Sequence, residues 1–423
     1  MSRIAIVDML FNWPPDGGAR TDIKEIATRL ARDHTVRLFC PDYQQFFPRG
    51  RISGLAGDID IVTIPFNFYT FNHHVIGQRF RRAVAEFGPD HVVIADTWFM
   101  KPHLARALAE YRPLLRFYAY ESLCLNRGSL WRRGRVCQVD YVGLPWHKTF
   151  RCVACAMWGQ KFRADTQHGQ EFWGALAFLP SYRRRAEGML RGAGGLIVSN
   201  EFIADNVRRF NPNVWIVPGG VDPQRFTATP RQGGGPARVA MVGRAYDPIK
   251  GFDVLSRAAA QLYETRRDFK LVVTAAQDEP YLRKPYIEIG GWFTQETLPE
   301  FYRRVDICVV PSVWTEPFGL VALEGMSAGK PVIASRAGGL SQIVREGETG
   351  FTVPPGDAAA LANRIAYLLD HPEVGQRLGR AGRALVEREY TWDAVYRRFY
   401  QPLFAGVSGG SPGLPSAARG TLP

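Results

Sequence analysis

Several things are scarce or missing in this sequence. Six cysteines are spread over 423 residues, too few for a disulfide scaffold, and no Asn-x-Ser/Thr acceptor occurs; both fit a reducing cytoplasm. No apolar run approaches the roughly 18 residues of a spanning helix, so an integral membrane protein is not expected. The opening Met1-Ser-Arg-Ile-Ala-Ile-Val-Asp8 is too short and too soon charged to read as a secretory signal. There is no solenoid repeat, no Gly-x-Ser-x-Gly, no zinc-protease His pair and no nucleic-acid fold signature, so no nucleic-acid partner is expected. Negative charge is also short: 53 Lys and Arg face 40 Asp and Glu, a net +13.

What is present describes a large globular chain. Its length suggests two or three domains with cores that need no disulfides. The charge is uneven. Residues 1–210 hold 29 basic against 19 acidic side chains, and residues 211–423 hold 24 against 21. A basic first half suggests an anionic partner, with an Arg-rich solvated surface as the plain alternative. Short apolar runs alternate with helical patterns: Arg3–Asp8, Val36–Cys40, His91–Asp96, Leu114–Tyr120, Gly195–Asn200 and Val214–Pro218, then Arg238–Gly243, Lys270–Ala275, Tyr286–Gly290, Asp306–Ser312, Pro331–Ser335 and Gly350–Val353. Near-continuous apolar strands with helices between them imply parallel sheets covered on both faces.

The expected fold class is α/β, with two doubly wound Rossmann-like domains facing a cleft. The first covers 1–226, with a Cys-, Arg- and Trp-rich insertion at about 121–190. A Pro/Gly-rich linker covers 227–237, the second domain 238–388, a helix crossing back 389–404, and a disordered low-complexity tail 405–423.

Three motifs carry chemistry. In Pro311-Ser-Val-Trp-Thr-Glu316-Pro-Phe-Gly-Leu-Val-Ala-Leu-Glu324, a strand ends at Pro311 and Pro317 reads as a first helical residue. The N–H groups of Phe318, Gly319, Leu320 and Val321 would then open a helix and form an anion site suited to a diphosphate. Eight helical residues would set Glu316 and Glu324 about 12 Å apart, roughly the span from a sugar past its diphosphate to a ribose. The plain alternative is one helix-start Glu and one half-exposed helical Glu. In Val242-Gly243-Arg244-Ala-Tyr-Asp-Pro-Ile-Lys250-Gly251, two cations flank a loop at a strand's carboxyl end and can hold a diphosphate leaving group. Gly17-Gly18 follows the first strand and lets backbone approach a ligand closely.

These motifs in this order resemble glycosyltransferase family 4, retaining enzymes of the GT-B fold. The likeness is densest in PGGVD (Pro218–Asp222), VGRAYDPIKGFDVL (Val242–Leu255), IGGWFTQETLPEFY (Ile289–Tyr302) and the stretch Pro311–Asp357. The resemblance implies that Arg244 and Lys250 hold a donor diphosphate, Glu316 the donor sugar and Glu324 the nucleotide ribose. It implies that backbone at Gly319–Val321 meets phosphate, backbone at Gly291, Trp292 and Phe293 meets the base, and Gly17 and Gly18 face the donor. Many relatives carry a His after the fourth strand. This chain has Phe117-Tyr-Ala-Tyr120-Glu121-Ser122 there, leaving Tyr120, Glu121, His73 or His74 as substitutes.

Cys40 and Cys308 sit in apolar runs and read as core. Cys124, Cys137, Cys152 and Cys155 fall in the insertion, and some family members show a similar pattern. Separate packed thiols are expected; structural zinc is the alternative, weakened because only one Cys-x-x-Cys pair exists. Asp58-Ile-Asp60 precedes a strand and is not expected to bind metal.

The reading is thus a metal-independent, retaining glycosyltransferase with a nucleotide-sugar co-substrate and no other cofactor. Its acceptor is a glycan or a polyprenyl-diphosphate-linked glycan, in polysaccharide or glycoconjugate synthesis. It is expected in the cytoplasm, with peripheral contact to an anionic membrane through Arg runs such as Arg79–Arg82, Arg132–Arg135 and Arg183–Arg185 and the interleaved Trp131, Trp146, Trp158 and Trp173. A catalytically silent glycan-binding or scaffold protein of the same fold is the alternative.

Overall fold

The computed structural model describes residues 1–404 except 46–48, 54–58, 122, 127–129, 133, 161–165, 229–233, 275–281, 292 and 295. The expected tail 405–423, the middle of the expected linker, Trp292 and Asp58 therefore lie outside the described residues.

The chain forms two compact units. One comprises Met1–Arg132, Cys137–Pro218 and the stretch from Tyr396; the other comprises Arg133–Val136 and Gly219–Val395. The division falls at Pro218, ahead of the expected 226, because the residues that follow are tied into the second unit. Val221 N–H bonds to Tyr390 O at 2.9 Å, and Arg383 donates to Phe226 O at 2.8 Å. The chain rejoins the first unit at Tyr396, later than the expected 389. Tyr396 O–H donates to Asp33 at 2.7 Å, and Phe404 packs edge-on against His34 and His91.

The first unit holds β1 (Arg3–Val7), β2 (Thr35–Asp42), β3 (Asp60–Pro65), β4 (His91–Ile94), β5 (Leu114–Arg116), β6 (Gly195–Val198) and β7 (Val214–Ile216). Their order is β3-β2-β1-β4-β5-β6-β7, with all pairs parallel. Central strands β1, β4 and β6 are buried apart from the first residues of β1 and β4, Arg3 of β1 being exposed, as near-continuous apolar runs require. Edge strand β3 is half open, and its Asp60 pairs with Arg37 at 2.6 Å.

Helices α1 (Gly18–Asp33), α2 (His73–Phe87) and α3 (Lys101–Ala107) follow β1, β3 and β4. In α2, Asn72 caps the N–H groups of His74 and Val75, while Ile76, Phe80, Val84 and Phe87 form the buried stripe. The insertion carries three helices, α4 (Phe150–Gln160), α5 (Gln167–Gly174) and α6 (Pro180–Gly192), and α7 (Glu201–Arg208) links β6 to β7.

The second unit repeats the scheme with β8 (Ala237–Met241), β9 (Phe269–Val273), β10 (Ile287–Ile289), β11 (Ile307–Val310), β12 (Val332–Ser335) and β13 (Gly350–Val353). Their order is β10-β9-β8-β11-β12-β13, again parallel. Its helices are α8 (Phe252–Thr265), α9 (Leu298–Arg303), α10 (Leu320–Ser327), α11 (Leu340–Ile343), α12 (Ala358–Asp370) and α13 (Pro372–Leu385). No helix among the described residues is long and apolar enough to cross a membrane.

A buried ion pair fastens the insertion to the first sheet. Arg49 and Glu171 are both fully buried and 3.2 Å apart. Glu171 also accepts from Thr97 Oγ1 and the Trp98 and Phe99 N–H groups, each at 3.0 Å. Removing one partner of such a pair leaves an uncompensated buried charge, at a cost of about 3–5 kcal/mol. Glu171→Leu should therefore lower stability by about that much in chemical denaturation. Arg49→Met with Glu171→Leu should cost clearly less than the two single changes added; simple additivity would contradict the pairing.

Candidate functional site

In each sheet the strand order reverses once, between β1 and β4 and between β8 and β11. The crevice beyond the strand ends at such a reversal is where open α/β sheets bind ligands. In the second unit, β8 runs into the Arg244–Gly251 loop and β11 into the Pro311–Gly319 loop. The two loops pack directly: Val313 N–H bonds to Ile249 O at 3.0 Å. Gly251 sits at φ 77°, where a Cβ would lie 2.0 Å from Pro311 O, so only glycine permits the contact.

This packing brings Lys250 to Glu316. Lys250 Nζ donates to both carboxylate oxygens at 3.0 Å. Ser312 Oγ and Trp314 Nε1 each donate to Oε2 at 2.9 Å. Burial pushes the Glu316 carboxyl up, but the Lys250 charge and the three donors outweigh it and hold it below the usual carboxylate range. Glu316 is a fixed anion. The sequence reading gave Lys250 to a diphosphate and Glu316 to a sugar; without ligand they bind each other. Ser312 and Trp314 were missed as site residues, although both lie in the quoted motif, four and two positions before Glu316.

Arg244 is half exposed and lies 3.4 Å from Asp247. Its loop is anchored by Thr274, whose Oγ1 accepts from Gly243 N–H at 2.8 Å and donates to Gly243 O at 3.0 Å. The guanidinium thus stands at the strand end with its head toward solvent.

The helix after Glu316 starts later than expected. It begins at Leu320 with Gly319 as N-cap, so Pro317 and Phe318 are loop residues and the 12 Å helical spacing does not apply. The cause is the turn after β12. Gly339 N–H bonds to Glu316 O at 2.8 Å, and Gly338, at φ 57°, lies so close that a Cβ would meet Glu316 O at 2.2 Å. That turn clamps the Glu316 backbone ahead of the helix. The open helix start belongs to Leu320 and Val321, since Ala322 N–H already bonds to Gly319 O at 2.9 Å. Glu324 sits one turn inside, buried, with Tyr302 O–H 3.4 Å from its Oε2. Gly291 and Phe293 follow β10 on the same sheet edge. Gly291 is open, and Phe293 stacks at a tilt on Phe301.

The first unit holds Gly17 and Gly18 at the start of α1, with open space beside Gly17. Its strand reversal gathers carboxylates. Asp8, fully buried after β1, accepts from Leu10 N–H at 2.8 Å and Asp96 N–H at 3.0 Å. Burial pushes both carboxyls up, Asp8 to about 6, and the neighbouring Asp8 charge adds to the rise at Asp96. The sequence reading missed this pair; strand-end position was the available signal. Of the expected His substitutes, Tyr120 is buried against Phe202. Glu121 is buried 3.5 Å from Lys101 and accepts from the Tyr118 and Ala119 N–H groups. His73 bonds to Gly174 O and stacks on His103, and His74 bonds to Gln78.

Cys124, Cys137, Cys152 and Cys155 line one cavity in this unit. All are free thiols. Burial pushes Cys124 to about 11 and Cys152 to about 12, and Cys124 Sγ donates to Asn126 O. Among the described residues no three His, Cys, Asp or Glu side chains are arranged to hold a metal ion.

Residues 236–371 match the family model described as Glycosyl transferases group 1. The chain is 30% identical over 223 residues to the phosphatidyl-myo-inositol mannosyltransferase of Mycobacterium leprae, covering 49% of this chain and 59% of the relative. It is 34% identical over 250 residues to the D-inositol 3-phosphate glycosyltransferase of Arthrobacter sp., covering 50% and 56%. The matches thus span less than two thirds of these relatives. Among solved structures, the sucrose-phosphate synthase of Thermosynechococcus elongatus matches at TM-score 0.68 and 21% identity, over 96% of this chain and 100% of that one. The Anabaena protein HepE, solved with UDP and glucose, matches at 0.65 and 16% identity, with the same coverage. At these identities the structures show the fold: two Rossmann-like units of the GT-B class.

The Asp8 shift has a defined pH signature. Its carboxyl moves from the ordinary 3.8 up to about 6 in the folded chain. Between those values the native state binds more protons than the unfolded one, so stability falls as pH rises. Wild type measured against Asp8→Asn by urea denaturation should lose roughly 2–3 kcal/mol of relative stability from about pH 4 to pH 6. A pH-independent difference would mean that Asp8 is ionised in the fold throughout.

Proposed function

Taking residues 236–371 as a domain of the Glycosyl transferases group 1 family, we propose that this chain moves a sugar from a nucleotide-sugar donor to a glycan or lipid-linked acceptor, with retention of anomeric configuration, in polysaccharide or glycoconjugate synthesis. It works at the cytoplasmic face of a membrane. The observation that carries this is the convergence of Arg244, Lys250 and Glu316 on one strand reversal, with the Leu320 helix start and Glu324 next in chain.

In this reading the donor diphosphate lies against the Leu320 and Val321 N–H groups. Lys250 is shared between Glu316 and the phosphate, and Arg244 swings from solvent onto the other phosphate. Two fixed cations and a helix start stabilise the charge that builds on the departing diphosphate. Glu316, spread over three donors, accepts a hydroxyl of the sugar. The same three donors make it a poor nucleophile, which supports attack by the acceptor from the leaving-group face without a covalent enzyme intermediate. Glu324 accepts the ribose hydroxyls. The relatives named for phosphatidyl-myo-inositol and D-inositol 3-phosphate support a phosphorylated or lipid-borne acceptor.

A chain that binds donor without transferring sugar is the competing reading. It is supported by Tyr120 and Glu121 being committed to packing and to Lys101, so that neither replaces the His of many relatives.

Two measurements test the proposal. Glu316→Gln should bind nucleoside diphosphate at least as tightly as wild type in calorimetry, because Lys250 is released, while transfer falls about 10²-fold or more. Glu324→Ala should weaken that binding about tenfold to a hundredfold, the range for a lost hydrogen bond to a charged group. Wild-type binding and turnover in both would remove the site assignment. Transfer should also persist in EDTA, since Arg244 and Lys250 supply the positive charge; loss that Mg²⁺ or Mn²⁺ restores would make a divalent ion part of the mechanism.

A further inference from the structure

Helix α4 is apolar on two opposite sides. Cys152 and Cys155 turn toward the cavity and Ala156 is buried. Phe150, Ala154 and Trp158, four residues apart and therefore stacked on one face, are exposed. Phe150 is 67% and Trp158 84% exposed, and Trp146, in the loop before the helix, is 72% exposed. Ten large hydrophobic side chains are exposed among the described residues, and these three fall within thirteen consecutive positions. A helix with apolar residues on both sides belongs in a core or at a lipid surface. Here only one side is covered by the unit that carries it.

The charge around this face has one sign. From Tyr141 to Gln160 the sequence has no Asp or Glu. Lys148 and Arg151 are exposed, and no ion pair to either occurs among the described residues. The run Arg183–Arg185, singled out from sequence, is a weaker surface. Arg183 pairs with Glu187 at 3.4 Å, and α6 buries the flanking Tyr182 and Ala186.

We propose that the outer face of α4 and the Trp146 loop dock the chain onto an anionic lipid bilayer. The helix lies in the interface plane with Phe150 and Trp158 in the acyl boundary and Trp146 at headgroup depth, while Lys148 and Arg151 meet anionic headgroups. Complementary charge selects this occupant: an apolar protein partner would leave two unpaired cations at the contact, and an anionic bilayer uses them. The inference deepens the reading above, since it rests on an acceptor carried by a membrane and names the surface that reaches it.

The test is vesicle sedimentation of the full chain, with phosphatidylcholine alone and with phosphatidylcholine mixed with phosphatidylglycerol. Wild type should bind the anionic vesicles better, with a blue shift of tryptophan emission, and release as salt shortens the Debye length. Trp146→Ser, Phe150→Ser and Trp158→Ser together should reduce the partition coefficient at least about tenfold. Lys148→Glu with Arg151→Glu should abolish the anionic preference, each basic residue being worth roughly a factor of five at such a surface. Trp158→Ser alone keeps the test open if the triple variant folds poorly. Sedimentation of the triple variant like wild type would overturn the proposal. So would equal binding of wild type to both vesicles, no binding to either, or self-association through this face that the triple variant loses. Thermal shifts with UDP, GDP and ADP, run on every variant, should stay unchanged; their absence in wild type would undo the donor reading and leave the vesicle result standing.

Discussion

The candidate site is organised by one ion pair. Glu316 is buried, and a buried carboxylate is tolerated only if it is ionised against a cation or kept neutral. Lys250 resolves this by crossing from the loop after β8 to the loop after β11. It can do so because Gly251 lets the first loop lie on Pro311 and because the Gly338–Gly339 turn packs against the Glu316 backbone. The glycines, the helix start at Leu320 and the direction of the Glu316 side chain all serve one electrostatic requirement. Lys250 is thereby a cation held in place by the fold itself.

The first unit solves a similar problem differently. At its strand reversal there is no cation between the two carboxyls. Asp8 is fully buried and satisfied by the backbone N–H groups of Leu10 and Asp96, and the pair keeps a proton to unusually high pH. Nearby, Lys101 is occupied by Glu121 and by Arg116 O at 2.6 Å. The same topological position thus carries a fixed ion pair in one unit and two buried carboxyls raised above their ordinary range in the other. Both are ways of placing acid groups where a parallel sheet leaves a crevice.

The insertion shows how a segment can be well packed and still incomplete. Arg49 and Glu171 fasten it to the residues after β4, and the four cysteines line its cavity as free thiols. Its outer helix face is nevertheless apolar and rimmed by cations. For water-soluble packing alone, Phe150 and Trp158 are poor choices at exposed positions, because each keeps a large apolar area hydrated.

The order of the elements was legible in the sequence. Parallel strands buried on both faces must be apolar almost throughout, and those runs fell on strands of both sheets with ends at most four residues off. Edge strand β3 was faint for the same reason: one side of it is open, so the apolar signal is halved. The residue types of the second-unit site were also legible, because Glu316, Glu324, Arg244 and Lys250 stand at spacings that a strand-loop-helix unit turns toward one end. The rest needed tertiary structure. That Lys250 binds Glu316, that Ser312 and Trp314 complete that anion, that Asp8 meets Asp96 across 88 positions, and that Trp158 faces out while Cys155 faces in, are outcomes of strand order and packing between distant segments. Local pattern reports which residues are apolar and which are charged. It does not report which remote partner will cover each of them, and that choice decided the protonation, pairing and exposure on which the site depends.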